Sequence, residues 1–333
     1  MEKTIEKKQL YALNALRLIA ILLVFHSHSG PLYPAEALAN GGAVGNALFF
    51  IISGYLIKTK GSFLPWIWNK FVRLYPQTVI VSAVYVLMYY PVPLPAREFC
   101  TQFCNRLVGF WFVGAIFCFC ALIYVLDRLN VFDHFAVYSV IIWAAYVVCY
   151  ILFVDKSQWS VENKSFFRWI YYFYIYSLGF CLKKGVIRRS KRPYKRLLAV
   201  ALGCFVLSLG IKLLMSKISV LMYIQFTVQI AGMIVAILAL NAVLSAEEDY
   251  RSRFSEKTIG VINFLSRMSF EIYLSQRLYI RYFQRFPFPV GWLCTIAATF
   301  VTAFLLNLLA GKLSKHLTYK MKERSTEKQK AQG

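Results

Sequence analysis

The 333-residue sequence predicts an all-α fold: a polytopic integral membrane protein of about ten transmembrane helices, with both termini inside. Three observations lead there. Hydrophobic residues make up 59% of the chain and aromatic residues 17%, and the mean hydropathy of +0.55 is far above that of a soluble domain. Apolar runs of roughly 17 to 25 residues, the length that crosses a hydrocarbon core, recur along most of the chain. The short segments between these runs alternate between rich and poor in Lys and Arg.

The runs lie near 10–29, 42–58, 75–92, 106–126, 136–154, 166–182, 197–215, 219–244, 260–283 and 288–311. The first follows the charged start "MEKTIEKKQL"; it is long enough to span and has no small-residue cleavage site, so it is expected to be retained. The second, within "GNALFFIISGYLI", holds Gly45, Ser53 and Gly54, small residues that permit close helix contact. The third is flanked by "SFLPW" and "PVPLP", and the fourth contains "GFWFVGAIF". "KKGVIRRSKRPYKR" (183–196) separates the sixth from the seventh, and "SRMSFEIYLSQ" lies in the ninth. One membrane domain is expected over 1–313, followed by a basic cytoplasmic tail at 314–333.

With the N-terminus inside, the cytoplasmic segments hold 26 Lys plus Arg and the outer segments and helix ends 10, while Arg17 and Arg267 lie within spans. That bias predicts the N-in, C-in topology of a multi-pass protein of the cell membrane. The formal net charge of +23 therefore belongs to the inner face, which suits contact with anionic membrane lipid and attraction of a polyanionic cytosolic ligand. No nucleic-acid fold signature accompanies the charge, and no nucleic-acid partner is expected. The eight cysteines are scattered without a CxxC pair, although Cys100 and Cys104 share an outer segment. His134 and His316 both fall near the cytoplasmic edge, and no metal site is expected.

"LRLIAILLVFHSHSG" (16–30) places an arginine and two histidines in an apolar run. At about 100° per residue, Arg17 and His26 fall on roughly opposite helix faces, whereas Arg17 and His28 lie within about 20° of each other. The latter pair is separated by about 16 Å along the axis, too far to bond directly but spaced to touch two parts of one long ligand. Ionisable residues within a span are costly and tend to face a cavity, so the stripe is a functional-site hypothesis. The plain structural alternative is a snorkelling Arg17 and an interfacial His28.

These motifs resemble the membrane acyltransferase 3 family, whose members move acyl groups, often acetyl, onto extracytoplasmic carbohydrates. The resemblance covers essentially the whole chain. Its most specific part is an arginine, ten residues, then a histidine, matched by Arg17 and His28 in "LNALRLIAILLVFHSHS". A glycine-to-"FFxxSGxL" helix is matched by Gly45 and "FFIISGYL", and an "RxxP" element by Arg73 and Pro76. The chain departs from the commoner pattern at Asn14, at Ala47, at Ile116 after Trp111, and at Gln276 in "YLSQ". These positions supply no carboxylate on the second or fourth helix.

What the resemblance implies is a membrane O-acyltransferase using acetyl-CoA or another acyl-CoA as co-substrate, with no permanently bound cofactor, and a glycan or lipid-linked sugar as acceptor. A sugar hydroxyl is a poor nucleophile at neutral pH, and a histidine can take its proton during attack on a thioester. His28 is the expected base, with Arg17 beside it on the helix stripe. Arg17 and Arg73 are the expected donor-binding groups, because guanidinium stays charged and makes bidentate contacts; Ser53 is a further candidate near the thioester. Glu271, four residues after Arg267, either forms an i,i+4 ion pair or supports the base; Trp111, Tyr273 and Gln276 are further candidate supports. The alternatives are a transporter or flippase, against which stand the lack of an inverted repeat and of paired broken helices, and a catalytically inactive family member.

Overall fold

The computed structural model describes residues 10–90, 94–157, 165–215 and 217–330, and every regular element among them is a helix. The charged start 1–9, part of "PVPLP" and the last three residues lie outside the described residues. The helices are α1 Tyr11–His28, α2 Gly42–Leu56, α3 Phe63–Tyr89, α4 Ala96–Gly109, α5 Trp111–Arg128, α6 Phe135–Phe153, α7 Ser165–Lys184, α8 Tyr194–Met215, α9 Phe226–Ser245, α10 Glu247–Arg253, α11 Glu256–Arg267, α12 Ser269–Phe283 and α13 Val290–Lys330. Seven helical segments among the described residues are long and apolar enough to cross a membrane: α1, α3, α5, Val131–Phe153 around α6, α8, α9 and Val290–Leu313 of α13. α2 is apolar but has only 15 residues.

Four boundaries differ from the sequence expectation. α3 starts at Phe63 rather than near 75, so Arg73 stands on a helix; Pro76 inside it removes one hydrogen bond without ending it. The run expected at 106–126 is divided: α4 ends at Gly109, a poor helix former, Phe110 turns out of helical geometry at φ −79°, ψ 61°, and α5 begins at Trp111. Residues 219–224 form a 3-10 segment before α9. The run 260–283 breaks at Met268, whose N–H bonds back to the Leu265 carbonyl at 3.1 Å, while the Ser269 hydroxyl donates to Ser266 O at 2.6 Å.

The chain divides into two compact units. The first comprises Met1–His28, Ala37–Ile57 and Asn130–Ser269; the second comprises Ser29–Glu36, Lys58–Leu129 and Phe270–Gly333.

In the first unit α2 packs against α1, α7 and α9. Its contact with α7 is made by backbones: a Cβ on Gly54 would collide with the Tyr176 carbonyl, and one on Gly179 with the Ile51 carbonyl. α1 approaches α2 at Gly45, where a Cβ would lie 2.7 Å from the Ala20 oxygen. Small residues let such helices close where lipid gives no hydrophobic drive between them. α7 owes its polarity to a run of tyrosines, "YYFYIY", and their hydroxyls are used internally. Tyr171 donates to Gln229 O at 2.6 Å, Tyr172 to Ala43 O at 3.3 Å and Tyr174 to the Ser139 hydroxyl at 3.1 Å. Each such bond contributes about 0.5–1.5 kcal/mol net, and an unsatisfied hydroxyl in hydrocarbon costs more.

The "KKGVIRRSKRPYKR" segment is tied to the same unit: Arg189 donates to the Tyr55 hydroxyl at 2.6 Å, Ser190 N to Asn241 Oδ1 at 2.9 Å, and Tyr194 to Asp249. In the second unit α3 packs against α4, α5 and α13, and the Tyr89 hydroxyl donates to the Leu278 carbonyl of α12. The far end of α5 holds the 59–61 segment, with Tyr124 and Arg128 both donating to Gly61 O, at 2.6 and 2.9 Å.

Gly54→Val is expected to force α2 off α7 and destabilise the protein by about 1–3 kcal/mol, as overpacking does. Thermal unfolding of the purified variant in detergent checks this; an unchanged midpoint would show that the backbone contact is not needed.

Candidate active site

α1 carries the first group of candidate residues, and its register follows from its partners. The first free amides of the helix, Tyr11 N and Ala12 N, donate to the two carboxylate oxygens of the buried Glu247, at 2.8 and 3.0 Å. A carboxylate at a helix N-terminus satisfies orphan donors and favours the dipole. One turn on, Asn14 Nδ2 donates to Asn263 Oδ1 of α11 at 2.9 Å. Asn14 thus has a structural partner where the family pattern often has an acid.

From that anchor the helix runs unbroken to His28, so the spacing read from the sequence holds. Leu16, Ala20, Ile21 and Val24 are buried, and Arg17 and His28, both half-buried, fall on the same stripe. His26 falls on the opposite side, between Ile19 and Leu22, which are 51% and 45% exposed. The two histidines are therefore separated by face. Ser53 is half-buried in the last turn of α2, where its carbonyl accepts from Ile57 N at 3.0 Å.

At the Glu247 end of α1 lies an open cavity of about 400 Å³ lined by Tyr11, Arg251, Glu256, Asn263, Phe264 and Arg267 among others. The Arg251 guanidinium sits over the Tyr11 ring at 5.3 Å. The lining, which mixes rings and cations with Glu256 and Asn263, comes from three helices, so periodicity in any one of them did not reveal it.

The remaining candidates belong to the second unit. Arg73 is exposed on α3, one turn before the buried Gln77. Glu271 is 4% exposed on α12. Its Oε1 accepts from Asn307 Nδ2 of α13 at 3.3 Å, and its buried Oε2 has no hydrogen-bond partner among the described residues. Met268, between Arg267 and Glu271, ends α11, so the two residues stand on different helices. An amide–carboxylate contact thus joins α12 and α13.

Tyr273 is buried against Phe110 and Phe112, with ring centroids 6.3 and 5.0 Å away, beside Trp111 at the start of α5. Gln276 is fully buried, and its Nε2 donates to Tyr273 O at 3.2 Å. The structure therefore places Tyr273 and Gln276 on α12 near the start of α5, and Glu271, on the same helix, against Asn307 of α13. Asn307 was not singled out from sequence; its signal was a lone amide in "FLLNLLA".

In comparison with known proteins, a family model described as an acyltransferase domain matches residues 10–310. No curated protein and no solved structure matches the chain.

The Glu271–Asn307 contact sets a test. Glu271→Gln preserves an acceptor and is expected to stay within about 1 kcal/mol of the parent, whereas Glu271→Ala leaves the Asn307 amide without its acceptor and should cost about 1–3 kcal/mol. Chemical denaturation in detergent distinguishes the two; equal stability of both variants would remove the structural role.

Proposed function

The chain belongs to the acyltransferase 3 family and carries helices suited to crossing a membrane, and on that premise we propose that it moves an acyl group, most simply acetyl, from cytosolic acyl-CoA to a hydroxyl of an extracytoplasmic glycan. The observation that carries this reading is the continuous α1 helix with Arg17 and His28 on its buried stripe and His26 off it.

His28 is the general base in this proposal. It takes the proton of the acceptor hydroxyl as that oxygen attacks the thioester carbonyl, and the coenzyme A thiolate leaves as the acyl–oxygen bond forms. Arg17 and Arg73 serve the donor's phosphates or carbonyls, because guanidinium contacts with such groups are charge-assisted. The roughly 16 Å between Arg17 and His28 suits the length of an extended pantetheine arm laid along α1. The cavity at the other end of α1 supports nucleotide docking: Tyr11 and Phe264 offer rings, and Arg251 and Arg267 offer positive charge for phosphate, against the single acid Glu256 in the lining. The inner location of that end rests on the bias of Lys and Arg toward one set of loops.

His28→Ala is expected to lower acyl transfer by about 10²–10⁴ while His26→Ala keeps most of it. Radiolabelled acetyl transfer by membranes containing each variant decides; equal losses would refute the assignment by helix face. On purified protein, Arg17→Gln and Arg73→Gln should each weaken acyl-CoA binding at least tenfold by calorimetry, with His28→Ala binding nearly as the parent does. Unchanged affinity in both arginine variants would remove the donor role.

An impermeant thiol reagent should reach a cysteine placed at Ala37 in intact cells, and one placed at Ser190 only after the membrane is opened. Labelling of position 190 in intact cells would overturn the orientation and, with it, cytosolic entry of the donor.

A further inference from the structure

Three arginines of the second unit stand together without an acid. Arg106, in the last turn of α4, lies with its guanidinium carbon 4.1 Å from the Tyr85 ring centroid and 4.5 Å from that of Phe110. Its Nε and Nη2 are buried and have no hydrogen-bond partner among the described residues. Arg281 of α12 covers Tyr89 at 4.5 Å and donates to the Tyr85 hydroxyl at 2.5 Å. Arg277 lies exposed one turn earlier on α12, on the same helix as Arg281. Among the described residues no carboxylate pairs with any of the three.

Gathering like charges against aromatic rings is costly unless an anion completes the arrangement, and guanidinium donors left free inside such a cluster are an unmet demand for an acceptor. Cation–π contact offsets part of the cost but leaves the N–H groups unused. Rings beside a forked donor also match a sugar bearing a carboxylate: the apolar face of the sugar lies on the ring and the acid takes two N–H bonds.

We propose that Arg106, Arg277 and Arg281, framed by Tyr85, Tyr89 and Phe110, form an acceptor subsite for an acidic carbohydrate, one that presents a carboxylate or phosphate beside the hydroxyl to be acylated. This rests on the acyltransferase reading and its N-in topology, which place the Tyr89 end of α3 on the extracytoplasmic side. The subsite narrows the acceptor from glycans in general to anionic ones.

The test uses full-length protein in detergent free of anionic lipid, with a hexuronate tetrasaccharide and its carboxyl-reduced counterpart as probes. The acidic sugar is expected to bind at least tenfold more tightly, with that preference falling as salt rises. Arg106→Gln and the exposed Arg281→Gln should each loosen the acidic sugar at least tenfold and leave the neutral one unchanged, and Arg106→Lys should retain part of the preference. Equal binding of the two sugars, binding of neither, or a preference that survives Arg106→Gln would overturn the inference. So would a loss confined to phosphatidylglycerol nanodiscs, which would make the cluster a lipid anchor.

Thiol release from acetyl-CoA, measured on the same preparations, separates the two levels. Turnover without sugar preference overturns the subsite alone. Sugar preference without turnover leaves the anion site standing and removes the acyltransferase reading.

Discussion

The first unit depends on one close contact between backbones, that of α2 on α7 at Gly54 and Gly179. In lipid, two helices gain little by hiding apolar side chains from each other, so their distance of approach decides how much dispersion and how many hydrogen bonds they share. Here the approach is limited only by main-chain atoms. It lets Tyr172 of α7 reach a carbonyl on α2, and it leaves the opposite side of α2 for α1, which closes in at Gly45. The "SGYL" stretch thus has a packing reason that needs no catalytic role for its glycine.

Once α2 is placed, α1 needs only its rotation and its height. Glu247 sets the height by holding the first two amides, and Asn263 fixes the rotation through Asn14. With both set, Arg17 and His28 fall on the buried stripe and His26 beside exposed Ile19 and Leu22. The chemistry proposed for the helix is a consequence of polar anchors near the opposite end from the base. A rigid helix transmits such an anchor over its length because its dihedrals leave little freedom.

The second unit solves a different problem, the burial of polar groups among α3, α12 and α13. Glu271 accepts from Asn307 of α13 through Oε1, while its buried Oε2 has no partner among the described residues. The Arg106 cluster differs in the sign of its charge. There aromatic rings face the guanidinium, yet its buried Nε and Nη2 have no hydrogen-bond partner among the described residues.

By itself the sequence determined the helical class and the apolar segments, because segment length and hydropathy are local quantities. It also determined that Arg17 and His28 share a face, because rotation along one helix depends only on residue spacing. It did not determine where helices break: Phe110 and Met268 interrupt runs whose hydropathy is continuous, through local turn geometry that hydropathy does not register. Nor did it assign partners to polar residues. Glu271 and Arg267 have ion-pair spacing in sequence, yet Glu271 takes its hydrogen-bond partner from residue 307. The tertiary structure decided that, as it decided the gathering of Arg106, Arg277 and Arg281, because contacts between helices distant in the chain depend on packing that no single periodicity encodes.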